Sequence, residues 1–200
     1  KIERAQELAE RTQVKLKPDE EGLIAYIHYP QRKKWEFVSI SFDITVPNES
    51  SLVATTTNGN MTADSLNGNV KIRTTNGNVK MDQILADHIR AHATNGNVTL
   101  NHVSGILNVT TINGTVQVAL APQADPAANV NISTNNGSIT IDLPDNCSDG
   151  VDAGTANGIV NTSDQITISG DISTNSVKGT IGGGDGNLLL RSANGSININ

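Results

Sequence analysis

Val70-Lys71-Ile72-Arg73-Thr74-Thr75-Asn76-Gly77-Asn78-Val79-Lys80-Met81 is one copy of a twelve-residue module, apolar-x-apolar-x-Thr-x-Asn-Gly-x-apolar-x-apolar. Six further copies begin at Leu52, Ile89, Leu107, Val130, Val151 and Leu188, each with Asn-Gly at the same offset. Successive starts are separated by 18, 19, 18, 23, 21 and 37 residues. Repetition at this period is the signature of a solenoid, in which stacked coils bury one continuous core. Coils of 18–21 residues, with two short strands and two turns each, predict an all-β fold: a flattened single-stranded β-helix, right-handed by default. Asn-Gly between alternating strands is also the strongest short hairpin signal, which would give antiparallel ribbons in a sandwich or propeller. The short half-modules, and columns that keep one residue type from copy to copy, favour the stack. The long final gap predicts one more, degenerate coil within Ile166–Ile172 and Val177–Ile181. Leu66, Leu85 and Val103 are read as equivalent positions of the linking segments, four residues before the next module.

Residues 1–47 differ in character. Glu3 to Arg11 places Ala5, Leu8 and Ala9 at helical spacing, predicting a short helix. Pro18 to Gly22 reads as a turn, and two strand-like runs follow, Leu23–Tyr29 and Trp35–Val46. Tyr26, Tyr29, Trp35, Phe37 and Phe42 are the aromatic residues of the chain, and none follows Phe42. A helix-plus-strands cap continuous with the repeats at 48–200, forming one structural domain, is therefore expected, because a terminal coil exposes core and strand edges.

Charge is divided as sharply. Residues 1–47 carry eight basic and eight acidic side chains; residues 48–200 carry six and twelve, so the net charge of −6 belongs to the repeats. An acidic array without aromatic stacking surfaces argues against a nucleic-acid groove. No apolar run approaches the ~18 residues of a membrane span, and Lys1-Ile2-Glu3 does not open a signal peptide. The Asn/Thr/Gly-rich, lysine-poor composition leans toward a trimmed extracytoplasmic domain. Cys147, the single cysteine, is read as a small, partly buried side chain without an internal disulfide partner.

Strand parity assigns the columns. Thr56, Thr74, Thr111, Thr134 and Thr155, with Ala93 and Ser192 as small substitutes, share the inward parity of the apolar positions. Asn58, Asn76, Asn95, Asn113, Asn136, Asn157 and Asn194 continue that parity, so an inward amide ladder is expected, each Asn bonding the next. An inward Thr column excludes the flat outer Thr array of an ice-binding solenoid. The outward positions are mixed, with one concentration of charge. Lys71 and Arg73 on one coil and Arg90 and His92 on the next should lie about 4.8 Å apart as a basic patch, with Lys80 as a possible flank.

Other constellations carry less. His88 and His92 at i, i+4 would lie about 13 Å apart along a strand, too far to share a metal. Gly182-Gly-Gly-Asp185-Gly-Asn187 echoes a Gly-Asp calcium repeat, but one copy cannot supply ligands from consecutive turns, and a loop is expected. Asp142, Asp145, Asp149 and Asp152 surround Leu143-Pro144 as an acidic turn. No carboxylate pair with sugar-stacking aromatics is evident, so no cofactor, metal or catalytic residue is predicted.

Residues of about 40–200 resemble a bacterial family of adhesin-type β-strand repeats, a domain of unknown function that includes LiaG-like envelope proteins. The resemblance rests on Ile44-Thr-Val-Pro47 leading into the array, the repeated Thr-x-Asn-Gly-x-Val, Ile141-Asp-Leu-Pro144, and the closing Ser192-Ala-Asn-Gly-Ser-Ile-Asn-Ile199. It implies a single-stranded β-helix at the bacterial periplasm, cell surface or exterior and carries over no catalytic or ligand residue. The expected function is a non-enzymatic interaction scaffold for an unknown protein or glycan of the envelope. Two alternatives are an anionic-glycan-binding module using Lys71, Arg73, Arg90 and His92, and a carbohydrate-active enzyme on a β-helix.

Overall fold

The computed structural model describes residues 6, 13–19, 22–28, 40–125, 129–163 and 167–200. It divides into two compact units, Lys1–Thr45 and Val46–Asn200, each described by itself.

In the first unit β1 (Gln13–Asp19) and β2 (Gly22–His28) form an antiparallel hairpin with Asp19 opposite Gly22. The second strand matches the run expected from Leu23, while Pro18 lies inside β1 instead of opening the turn. The helix expected over residues 3–11 falls, apart from a helical Gln6, outside the described residues. So does the first part of the strand expected over 35–46. Residues 40–46 carry no ladder, and Phe42, Ile44 and Val46 are exposed, so the alternation there has no described sheet to face.

The second unit is all-β. Its strands are β3 (Leu52–Asn58), β4 (Met61–Leu66), β5 (Val70–Asn76), β6 (Val79–Asn95), β7 (Val98–Asn113), β8 (Val116–Leu120), β9 (Asn129–Asn136), β10 (Ile139–Asp142), β11 (Asp149–Asn157), β12 (Val160–Thr162), β13 (Ser169–Ser173), β14 (Ser176–Thr180), β15 (Gly186–Asn194) and β16 (Ile197–Ile199). Coil stacks on coil with parallel pairing and the modules in register: Val70 pairs with Ile89, Ile89 with Leu107 and Leu107 with Val130. This unit is a β-solenoid. Val70, Ile72, Val79, Met81 and Ile84 are essentially solvent-free, each contributing roughly 1.5–3 kcal/mol by burial, while Leu52, Ala54 and Met61, their counterparts in the first coil, are partly buried.

The coils bend at the Asn-Gly pair, and three of them bend again at a site the repeat did not announce. Ser65, Gln83 and His102 occupy successive coils with φ of 55, 52 and 50°. A left-handed residue interrupts the strand alternation, so Met81 and Ile84, three apart, both reach the core. Leu66, Ile84 and Val103 fill this second inward position. Leu85, read from spacing as the equivalent residue, is 38% exposed, because its coil carries one extra residue before the next module.

The largest departure concerns stacking order. The modules lie in space as 52, 70, 89, 107, 130, 188, 151. β15 pairs in parallel with β9 on one side and with β11 on the other, and β16 does the same between β10 and β12. The stretch expected to hold a degenerate coil instead forms an antiparallel hairpin, β13–β14, laid on the outer edge of β11. Antiparallel strands joined by a two-residue turn can close such an edge without the long crossover that another parallel coil needs.

At the Asn-Gly corner glycine is required by proximity. A Cβ on Gly77, Gly96, Gly114, Gly137 or Gly195 would sit 2.0–2.1 Å from the carbonyl oxygen of the stacked glycine below. Gly77→Ala should therefore lower unfolding free energy by about 1–3 kcal/mol. Gly154→Ala, whose Cβ meets nothing nearer than Arg191 Nη1 at 3.6 Å, should be neutral or stabilise by up to about 1 kcal/mol. Urea denaturation of the two variants checks both.

Candidate functional site

The corner residues are spent on the fold itself. Asn76 Nδ2 donates to Asn58 Oδ1 at 2.9 Å, and the same bond repeats from Asn95 to Asn76, Asn113 to Asn95, Asn136 to Asn113, Asn194 to Asn136 and Asn157 to Asn194. The ladder follows spatial order, running through Asn194 before Asn157. Parity placed these amides inward; they are exposed, because the strand bends at the corner and turns the last side chain out. From Thr74 onward the Thr column is buried, and its hydroxyls donate to glycine carbonyls one coil away: Thr111 to Gly96 at 3.0 Å, Thr134 to Gly114 at 3.0 Å and Thr155 to Gly195 at 2.8 Å. Thr56, half-buried in the first coil, donates to the Asn58 carbonyl at 3.0 Å. A third set of bonds runs from the backbone N–H of Asn78 and Asn97 to the side-chain oxygens of Asn60 and Asn78, both at 2.8 Å.

What remains for chemistry is the outward face of the sheet containing β5, β6 and β7. Lys71 pairs in register with Arg90 and Arg73 with His92, so the four predicted residues occupy neighbouring positions on adjacent strands. Lys80 lies in the other half of the coil, beside Thr62 and Thr99, and is not part of this cluster. His92 is half-buried, its Nδ1 2.7 Å from Thr110 Oγ1. Burial first, and then the Arg73 charge, push its pKa below the ordinary histidine value, so it is neutral at pH 7. The cluster's positive charge therefore rests on Lys71, Arg73 and Arg90. Among the described residues no carboxylate lies within 4.0 Å of these three.

Arg191, farther along the same face, is different. Its Nη2 is 2.6 Å from Asp152 Oδ2 and its Nη1 donates to the Asp152 carbonyl at 2.8 Å. The bond from Nη2 to the carboxylate, helped by the charges of Arg191 and Lys178, holds the Asp152 carboxyl below its usual range against a smaller opposing effect of burial. Arg191 is thus internally neutralised. Between the two clusters runs a shallow groove of about 220 Å³ lined by His88, Arg90, Asn108, Asn131, Asn187 and Leu189. Asn108 and Asn131 pair between consecutive modules, whereas Asn187 escaped the sequence reading because the inserted module places it beside Asn129. The same groove shows His88 and Arg90 on one wall, with no group of three metal-ligating side chains among the described residues.

The family profile Toastrack DUF4097 matches residues 26–200. The chain belongs to this family, a β-repeat domain of unknown function. No curated protein and no solved structure gave a significant match. For the described residues, no helix is long and apolar enough to cross a membrane.

A turn follows Leu143-Pro144, closed by the Cys147 N–H on the Pro144 carbonyl at 3.0 Å, but the four expected carboxylates do not gather at it. Asp149 is 3% exposed at the start of β11, while Asp142 and Asp145 are exposed and Asp152 pairs with Arg191. The Cys147 thiol donates to Asp149 Oδ2 at 2.9 Å, and Asp149 Oδ1 is buried without a partner among the described residues. Burial and the adjacent carboxylate push the thiol up to about 12, so it is not a nucleophile near neutrality. Burial, aided by the charge of Asp125, also raises the Asp149 pKa against the opposing Cys147 hydrogen bond. A raised carboxyl pKa favours the folded state at low pH, and that contribution is lost as pH climbs from about 4 through the folded value. Asp149→Asn should remove this decline. Stability measured against pH for variant and parent checks it: a constant difference between them would show that Asp149 does not titrate this way.

Proposed function

We propose that this Toastrack protein is a non-enzymatic interaction scaffold of the bacterial envelope or cell surface, adhesin-like in role and comparable to LiaG-type envelope proteins. The stack consumes its regular residues internally, with Thr, Asn and Gly bonding coil to coil, and leaves the irregular outward positions for partners. The periplasm or exterior suits a chain with this composition, and a protein or glycan of the envelope is the partner class.

One observation favours the anionic-glycan reading of the same scaffold. On an otherwise acidic unit, Lys71, Arg73 and Arg90 stand together without a neutralising carboxylate among the described residues, next to a groove walled by asparagine amides. Cations with solvated donors beside a row of amides suit carboxylate- or sulfate-bearing sugars, which combine an anionic group with neutral hydroxyls. Arg90 belongs to both patch and groove and is the residue through which the two would act together.

A glycan array probed with the parent and with Lys71→Glu/Arg90→Glu tests this. Binding to acidic glycans should fall at least tenfold in the double variant and weaken as salt rises. Unchanged binding, or no binding by the parent, would remove the glycan reading.

A further inference from the structure

The spatial order 130, 188, 151 means that β15 and β16 fill a slot already bounded by two other coils. β9 and β10 form one rim, β11 and β12 the other. Among the described strands, β11 and β12 reach the rest of the stack through β15 and β16 alone; their other neighbour is β14 of the capping hairpin. Coil 149–162 is thus attached to coil 129–142 by the chain joining them and by the inserted module.

The slot reads the module through features that every module shares. Leu188 and Leu190 join the buried columns of Val130 and Ile132, Ser192 Oγ donates to the Gly137 carbonyl at 3.0 Å, and Asn194 takes its rung between Asn136 and Asn157. Nothing in this recognition depends on which copy of the chain supplies the segment. The chain leading into the module, Gly182-Gly183-Gly184-Asp185, contains two glycines of positive φ. Among the described residues its side-chain anchoring is slight: Ser148 Oγ donates to Asp185 at 2.8 Å and accepts from the Gly183 N–H at 3.0 Å.

We propose that Gly186–Ile199 is an exchangeable module, and that the slot between coils 129–142 and 149–162 accepts the same segment from a second copy of this chain, giving a reciprocally exchanged dimer. Exchange leaves the rungs, the buried columns and the parallel ladders unchanged. The balance between closed monomer and dimer then rests on the linker, which sets the effective concentration of a chain's own segment at its own slot. At low protein concentration the chain's own segment wins. Refolding at high concentration, or a linker too short to turn back, favours the partner's. This inference does not rest on the glycan reading.

Asn131 and Leu189 are register partners across the slot, which makes them reporters. In the full chain with Cys147→Ser, Asn131→Cys and Leu189→Cys are made separately and together, and treated with a short bis-maleimide. The double variant, diluted, should link within one chain. The two single variants, unfolded together and refolded at high concentration, should give a covalent heterodimer at least tenfold above the same mixture never unfolded. Deleting two glycines of Gly182–Gly184 should raise that yield further. Failure of the double variant to link would overturn the interleaved order. Linking in the double variant, with no heterodimer from the co-refolded singles, would overturn exchange.

Discussion

The whole repeat unit depends on how closely one corner sits on the next. At every Asn-Gly pair after the first, at Asn58-Gly59, the backbone of one coil passes so near the glycine carbonyl of its neighbour that no side chain fits between them. That approach does three things together. It brings the Thr hydroxyl within reach of the carbonyl, aligns the Asn amides into a ladder, and fixes the axial spacing at which the strands pair. A buried hydroxyl without an acceptor costs roughly 1–3 kcal/mol, so the Thr column is tolerable inside only because the glycine carbonyl is there to meet it. The amides, by contrast, are exposed. Their bonds specify which residue stacks on which, since the register of a β-stack slips easily where one face lacks such markers.

A corner so regular makes the modules interchangeable, and the fold uses that freedom. The segment at 186–199 stacks where a sequential coil would have gone, and the coil written before it in sequence is pushed outward. The antiparallel hairpin then closes the outer edge: β14 pairs with β11, and Thr174 accepts from the Val160 N–H at 2.9 Å. Parallel coils cannot end themselves, because each leaves a row of unpaired donors and acceptors. Reversing strand direction ends the row in a few residues.

The outward face carries what specificity the molecule has. Most of its cations are few and widely placed, yet three stand together on neighbouring strands while a fourth, Arg191, is neutralised by Asp152. The difference between them is local electrostatics: a bidentate set of contacts satisfies Arg191, and nothing described does the same for Arg73 or Arg90. His92, desolvated and beside Arg73, adds a polar atom to this surface and no charge. The buried Cys147–Asp149 pair is a separate matter, a polar contact inside the outer coil whose cost the protein meets by favouring the neutral carboxyl.

The sequence alone determined the solenoid, the parallel register and the inward Thr column, because a twelve-residue module recurring once per coil, and strand parity within it, are local rules that a stack merely repeats. It also placed Lys71 beside Arg90 and Arg73 beside His92, since register between consecutive coils follows directly from the module. Three things lay beyond it. The bend at Ser65, Gln83 and His102 has no shared residue type, as a left-handed conformation there is imposed by the need to bring Met81 and Ile84 both inside. The outward turn of the Asn column broke parity at a corner where the strand itself ends. The order of the last coils could be decided only in three dimensions: modules with the same stacking chemistry fit the same slot, and local pattern gives no energy difference between them. What chooses is the path of the connecting chain and the hairpin that covers the final edge.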